Sequence, residues 1–355
     1  MKITKLRTMA AFAAVSVGLV LTVPVMANGP AVPPCSDGTD NAIPFSITVN
    51  GETATGRYAL PATTATDIVV MAHGYGHTTS SWVEHMKNTA ARGAIVVAMD
   101  YRGTTVTGTN PDGTQISRGW PAKKGAEDLV AAAQFFLDAC GDKTVTAFSV
   151  SMGGNMAGLA IASSSIFDYW FDIEGAVNVV ETYSGARSLR ASGNAFAGNA
   201  TVDIETEMGG PIEQYPAVYA ERAVMTHVSE IASTLDGAVI VHGIEDGLVP
   251  YNQSREILAG LRSLGLAVDD YSIARKGPGS EGGTTISSYV NGSLSPFAGH
   301  ASEKSQTHIV MKQTHIVMKT GLNALWDFLA NGTTPACRSA LVDGDSGTVS
   351  SGPAC

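Results

Sequence analysis

Thr144-Val-Thr-Ala-Phe-Ser-Val-Ser-Met-Gly-Gly-Asn-Met-Ala157 decides the fold. A β-rich run ends at Ser151, and a helix-forming run begins with the next residue. A serine at such a junction sits on a strained strand-to-helix turn, and the residues two before and two after it must be small because they pack under the turn. Here they are Ser149 and Gly153, so the motif is S-x-S-x-G, a departure from the commoner G-x-S-x-G. The helix behind Ser151 aims its first N–H groups at the place where negative charge would develop in a nucleophilic attack.

Two further apolar runs end in the same way. Val69-Val-Met-Ala-His-Gly-Tyr-Gly-His77 is a strand followed by glycines that let backbone N–H groups face a substrate oxygen. Tyr75 and Met152, the residue after the serine, are the expected N–H donors of an oxyanion hole. His73 reads as a packing or hydrogen-bonding histidine. Ala238-Val-Ile-Val-His-Gly-Ile-Glu-Asp246 is a buried strand, followed by Val249-Pro250. Asp246 then falls in the loop beyond the carboxyl end of that strand, where ligands bind in open α/β sheets. It is the expected partner of a histidine, with Glu245 and Glu181 as substitutes.

If the order is serine, acid, histidine, only His300, His308 and His315 qualify as the base. His300 lies in a loop segment, Phe297-Ala-Gly-His-Ala-Ser302, and is preferred. His308 and His315 occupy equivalent places in a duplicated heptad, Gln306–Lys312 and Gln313–Lys319. A seven-residue copy is nearly two helical turns, so it keeps one face toward the core.

Around these segments, strands are expected at Phe45–Val49, Thr53–Leu60, Asp67–Ala72, Ala94–Asp100, Thr144–Val150, Ala176–Thr182, Ala238–His242 and Val268–Ala274. Helices are expected at Ser80–Arg92, Lys123–Cys140, Met152–Ser163, Asn252–Leu264 and Thr307–Leu329. This strand–helix alternation specifies an α/β fold with a mostly parallel sheet covered by helices on both faces. Residues 185–233 break the alternation and read as an insertion, a small cap with one helix at Ala217–Ile231.

Taken together, the four segments resemble the α/β-hydrolase superfamily from about Phe45 to Asn331. The His242-Gly243…Asp246…Val249-Pro250 stretch is similar to the acid segment of the dienelactone-hydrolase and prolyl-oligopeptidase-like branches. Ser151-Met152-Gly153-Gly154 is similar to the elbow of bacterial polyester hydrolases and cutinase-like lipases. The resemblance implies a triad of Ser151, Asp246 and His300, with Tyr75 and Met152 binding the oxyanion and an acyl-enzyme intermediate. The expected activity is a lipase-like esterase acting on small or polymeric carboxylic esters, without cofactor or metal. The alternatives are a peptidase of prolyl-oligopeptidase-like type, and a non-catalytic binding protein on the same scaffold.

Composition bounds the setting. Lys2, Lys5 and Arg7 precede an apolar run from Met9 to Val25, and Val25-Met-Ala27 offers small residues at a cleavage site. Residues 1–27 therefore read as a signal peptide of a secreted or periplasmic protein, with no stable membrane anchor. Its removal takes the 22 Lys and Arg to 19 against 32 Asp and Glu, a formal charge of −13. That balance disfavours nucleic acid as a partner. Residues 28–42 form an irregular lead-in, 43–331 the catalytic domain of an expected monomer, and 332–355 a Gly/Ser-rich tail. The four cysteines allow three pairings; Cys337 with Cys355 would staple the tail and leave Cys35 with Cys140.

Overall fold

The computed structural model describes residues 35–37, 41–244, 246, 248–274, 311–343 and 349–352, with backbone alone for 311–316. The expected signal segment lies outside them. Among the described residues no helix is long and apolar enough to cross a membrane.

Strands β1 (Ile43–Val49), β2 (Glu52–Ala59), β3 (Asp67–Ala72) and β4 (Ala94–Met99) open the chain. A separate hairpin of β5 (Thr105–Thr109) and β6 (Gln115–Arg118) follows. Then come β7 (Thr144–Val150), β8 (Tyr169–Ile173), β9 (Gly237–Gly243), β10 (Val268–Ala274), β11 (Ser339–Asp343) and β12 (Val349–Ser351). Ten of these form one sheet in the order β1-β2-β4-β3-β7-β8-β9-β10-β11-β12. The run from β4 to β11 is parallel throughout, and β1, β2 and β12 are antiparallel additions at the two edges.

The expected α/β fold, mostly parallel and doubly covered, is present. Its cause is visible in the strands: both faces are apolar, as a sheet buried on two sides requires. Ile68 and Val70 of β3, with Ile95 and Val97 of β4, face one core layer. It is closed by α2 (Ala122–Cys140), α3 (Met152–Ser163), α7 (Val228–Thr234) and α8 (Tyr251–Ser263) through Leu129, Met156, Ile231 and Ile257. Val69 and Met71, with Val96 and Ala98, face the other layer. That layer is closed by α1 (Val83–Ala90) and α9 (Met311–Asn331) through Met86, Leu325 and Phe328. On α9 the buried Val317, Leu325 and Phe328 follow helical spacing, so the second heptad copy keeps its valine inward.

Two elements differ from the sequence expectation. The sixth strand of the large sheet in chain order is β8, not 176–182; Val179 begins α4 (Val179–Ala191), and the Asn178 side chain caps that helix by accepting from Glu181 N at 3.3 Å. The segment between β8 and β9 holds α4, α5 (Ala195–Met208), α6 (Pro216–Arg222) and α7, where a single helix over 217–231 was expected.

The disulfide Cys35–Cys140 ties the lead-in to the end of α2, with Cα atoms 5.6 Å apart. Cys337 is also disulfide-bonded; its expected partner Cys355 lies outside the described residues. After α9 the chain returns to the sheet. Asp269 of β10 accepts from the N–H groups of Ala336 (2.9 Å) and Arg338 (2.8 Å) and pairs with the Arg338 guanidinium, which sets β11 against β10.

Candidate active site

Ser151 occupies the junction of β7 and α3 at φ 55° and ψ −123°, a region that side-chain-bearing residues enter only when their surroundings hold them there. The surroundings do so from several sides. Ser151 N–H donates to Ile173 O (3.0 Å), and its carbonyl accepts from Gly154 N (2.8 Å) and Ala176 N (2.9 Å). Gly153 is obligatory: a Cβ there would stand 2.1 Å from Ala72 O of β3. The unusual Ser149 is explained by its partners. Its hydroxyl donates to Asp172 Oδ1 (2.7 Å) and accepts from Trp170 Nε1–H (2.9 Å), a buried polar bridge between β7 and β8 beneath the elbow. Burial pushes the Asp172 carboxyl up to about 7, against the opposing hydrogen bond from Ser149 and the charge of His242.

The loop after β3 lies against the serine. A Cβ at Gly74 would come within 3.2 Å of Ser151 Cβ. His73, the residue before it, is buried and its pKa falls to about 4 through desolvation, so its ring is neutral and Nδ1–H donates to Gly74 O (3.0 Å). This agrees with a structural role. Tyr75 and Met152, the expected oxyanion donors, are both buried next to Ser151: Tyr75 shares the cavity lining with it, and Met152 is the first residue of α3.

That cavity measures about 470 Å³ and opens onto Ser151. Trp82, Phe196, Ile173, Leu248 and Met318 give it mainly apolar walls, and His77, His85 and Glu174 add polar ones. Desolvation lowers the pKa of His85, which favours its neutral form.

Asp246 is buried in the loop after β9. Its Oδ1 accepts from Leu248 N (2.7 Å) and Val249 N (3.0 Å), and its Oδ2 lies 3.5 Å from His242 Nε2. Burial opposes a charge on His242, but the hydrogen bond and charge of Asp246, then Glu174, outweigh it and raise its pKa. Glu174, Asp246 and His242 bring one potential ligand atom each within 4.8 Å of one another. Both His242 ring nitrogens are already engaged, Nδ1 with Ser254 Oγ (2.5 Å) and Nε2 with Val249 O (3.0 Å), so the ring has no lone pair left for an ion.

His300, the expected base, lies outside the described residues, as do Glu245 and His308; His315 falls within α9, where its side chain is not described. In the chain His300 belongs to the connection between β10 and α9. Glu181 is not at a strand end: it sits in the first turn of α4, where burial and then the charge of Glu256 push its carboxyl up to about 7.

A protein-family profile described as the prolyl oligopeptidase family matches residues 80–276, more than half of the sequence. The chain belongs to the prolyl oligopeptidase family. Solved structures agree on the fold. An acylaminoacyl peptidase of Pyrococcus horikoshii superposes with a TM-score of 0.51 at 16% identity, over 65% of this chain and 36% of that one. A puromycin hydrolase gives 0.50 at 18% identity, over 68% of this chain and 36% of that one. The chain thus spans little more than a third of the length of these structures. A comparison with curated proteins found no match.

As a prolyl-oligopeptidase-family member the chain has the α/β-hydrolase fold. Within that frame, sequence reading missed Glu174. It follows β8 at φ 51°, is buried, lines the cavity, and accepts from Gly243 N at 3.2 Å. Only correct placement of β8 would have exposed it, since a carboxylate after a sheet strand points to the site edge.

Proposed function

We propose that this prolyl-oligopeptidase-family hydrolase is a serine peptidase that cleaves small peptides or amides through an acyl-enzyme. The observation that carries the reading is the strained Ser151 elbow opening onto a mainly apolar cavity, in a chain of a peptidase family. The family favours an amide substrate over the carboxylic ester that the elbow's likeness to lipases suggested.

In this proposal Ser151 Oγ attacks the scissile carbonyl and His300 takes the serine proton. The backbone N–H groups of Tyr75 and Met152 receive the developing oxyanion. Asp246, fixed by the Leu248 and Val249 N–H groups, orients the imidazole and stabilises its charge. His300 then protonates the departing amine, and water enters by the reverse path to release the acid. Residues 1–27 direct export, so the substrate is met outside the cytoplasm.

A fluorophosphonate probe and a matched panel of peptide p-nitroanilides and p-nitrophenyl esters test this. Labelling at Ser151 together with turnover of anilides supports the peptidase. Turnover of the esters with no measurable cleavage of any anilide would return the assignment to an esterase. Absence of labelling on folded protein would remove the catalytic reading altogether.

A further inference from the structure

Four donor groups from two separate parts of the chain converge on one carboxylate. Asp203, on α5, accepts from Tyr75 Oη (2.5 Å), Arg118 Nε (2.7 Å), Arg118 Nη2 (2.9 Å) and Gly119 N (3.0 Å). Tyr75 follows β3 and Arg118 ends β6, whereas α5 belongs to the helical segment inserted between β8 and β9. Burial works against the Asp203 charge, but the bonds from Arg118 and Tyr75 outweigh it and hold the carboxyl below its usual range. The acceptor is therefore ionised throughout the neutral range, and bonds to it are of the strong, charge-assisted kind.

The loop that covers Ser151 is gripped from two sides by this one group. Directly, the Tyr75 phenol is donated to Asp203, and the ring is held edge-on to Phe196 (5.2 Å) with Trp120 beyond (6.1 Å). Indirectly, Asp203 fixes the β5–β6 hairpin at Arg118 and Gly119. The neighbouring Ser117 then donates its N–H to Gly76 O (3.3 Å) and its hydroxyl to His77 O (2.5 Å). Both routes end on residues 75–77, adjacent to the Gly74 that packs against Ser151. With its only hydroxyl proton given to Asp203, Tyr75 has just its backbone N–H to offer a substrate oxygen.

We propose that Asp203 is a positioning residue for oxyanion stabilisation: by binding Tyr75 Oη and the Arg118–Gly119 corner, it sets the backbone of residues 74–77 over Ser151. The inference rests on reading Tyr75 as an oxyanion donor. It gives the inserted helix α5 a role in the chemical step in addition to walling the cavity.

The test compares Asp203→Asn, Tyr75→Phe and the double variant in the full chain. kcat and KM for a p-nitrophenyl ester are normalised to active sites titrated with a fluorophosphonate. Removing an oxyanion donor outright costs on the order of 10²–10³ in kcat. Displacing one should cost less, so Asp203→Asn should lower kcat about tenfold or more with KM within about twofold. Tyr75→Phe, which deletes one hydroxyl and leaves Arg118 paired, should lower kcat several-fold. The double variant should lose less than the product of the two single losses, because both substitutions weaken the one Tyr75–Asp203 contact. A raised KM at constant kcat, a double variant that multiplies the two losses, or a lowered Tm with unchanged kcat per titrated site would each overturn the proposal. Should Asp203→Asn not fold, an unchanged kcat in Tyr75→Phe overturns it alone. Full turnover in Ser151→Ala is a different result: it removes the reading of the site on which the proposal stands.

Discussion

Asp172 offers a measurable link between pH and the elbow. Its carboxyl is buried between Ser149 and the turn at Gly175, and desolvation moves its pKa from 3.8 to about 7. The folded state therefore holds a proton that the unfolded state gives up near 3.8. Stability is unaffected by this group below about pH 3.8, falls as pH rises toward 7, and levels off above it. Each pKa unit is worth about 1.4 kcal/mol, so the penalty saturates at roughly 4 kcal/mol. Asp172→Asn keeps an oxygen to accept from Ser149 Oγ and carries no charge. It should match the wild type near pH 4 and exceed it by up to roughly 4 kcal/mol at pH 8. Urea unfolding of both proteins at a series of pH values reads this directly, and taking the difference cancels the other acids with raised pKa, Asp270 and Glu181 among them. Parallel curves for the two proteins would show that Asp172 does not change protonation on folding, and the account of the elbow's underside would be wrong.

Four more outcomes are expected. Ser151→Ala should lose all fluorophosphonate labelling and reduce turnover by on the order of 10⁶ while leaving the unfolding curve intact; wild-type rates in this variant with dead Ser149→Ala would move the nucleophile. His300→Ala should remove nearly all turnover, and His308→Ala and His315→Ala should alter mainly Tm; activity profiles in the reverse order would put the base in the heptad. Gly153→Ala places a Cβ 2.1 Å from Ala72 O, so soluble folded protein should be scarce on a gel-filtration trace. Replacing Cys35 and Cys140 by serine opens a link spanning 105 residues, worth about 4–5 kcal/mol by loop entropy, and Tm should drop accordingly.

Much of the sheet was legible because its strands are buried on both faces and so appear as unbroken apolar runs. β3, β4 and β9 follow that rule; β7 carries Thr146 and Ser149 among its apolar residues, and the glycine-rich turns after β3 and β7 mark where each of those two stops. β8 escaped because Asp172 interrupts Tyr169-Trp-Phe-Asp-Ile, and aspartate disfavours strands unless, as here, a neighbouring strand supplies its partner. Val177, Val179 and Val180 then imitated a strand where Asn178 in fact caps a helix. Helix α5 has weak apolar periodicity, yet its ends were written: Asn194 accepts from Ala197 N at 2.9 Å, and Gly209 closes it at φ 86°. The β5–β6 hairpin likewise had its signal in Asn110-Pro-Asp-Gly113. Of the candidate site, Ser151 and Asp246 stand in local motifs that the sequence shows. Glu174 and Asp203 could not, since each acquires its place only from long-range packing.

The strand that follows α9 sets an order of events for the chain as it is made. Until residues beyond 338 have emerged, β10 has a bare flank of amide and carbonyl groups, and Asp269 lacks the Arg338 guanidinium and the two N–H groups that later satisfy it. An uncovered inner strand of this kind is a template for pairing with another molecule. The same flank carries Ile273 and Ala274, whose burial is shared with Leu341 and Val342 on the incoming strand. A chain cut after Asn331 would hold every residue of the Ser151 elbow and still present an adhesive edge. The added strand closes that edge with backbone pairing and the Asp269–Arg338 ion pair.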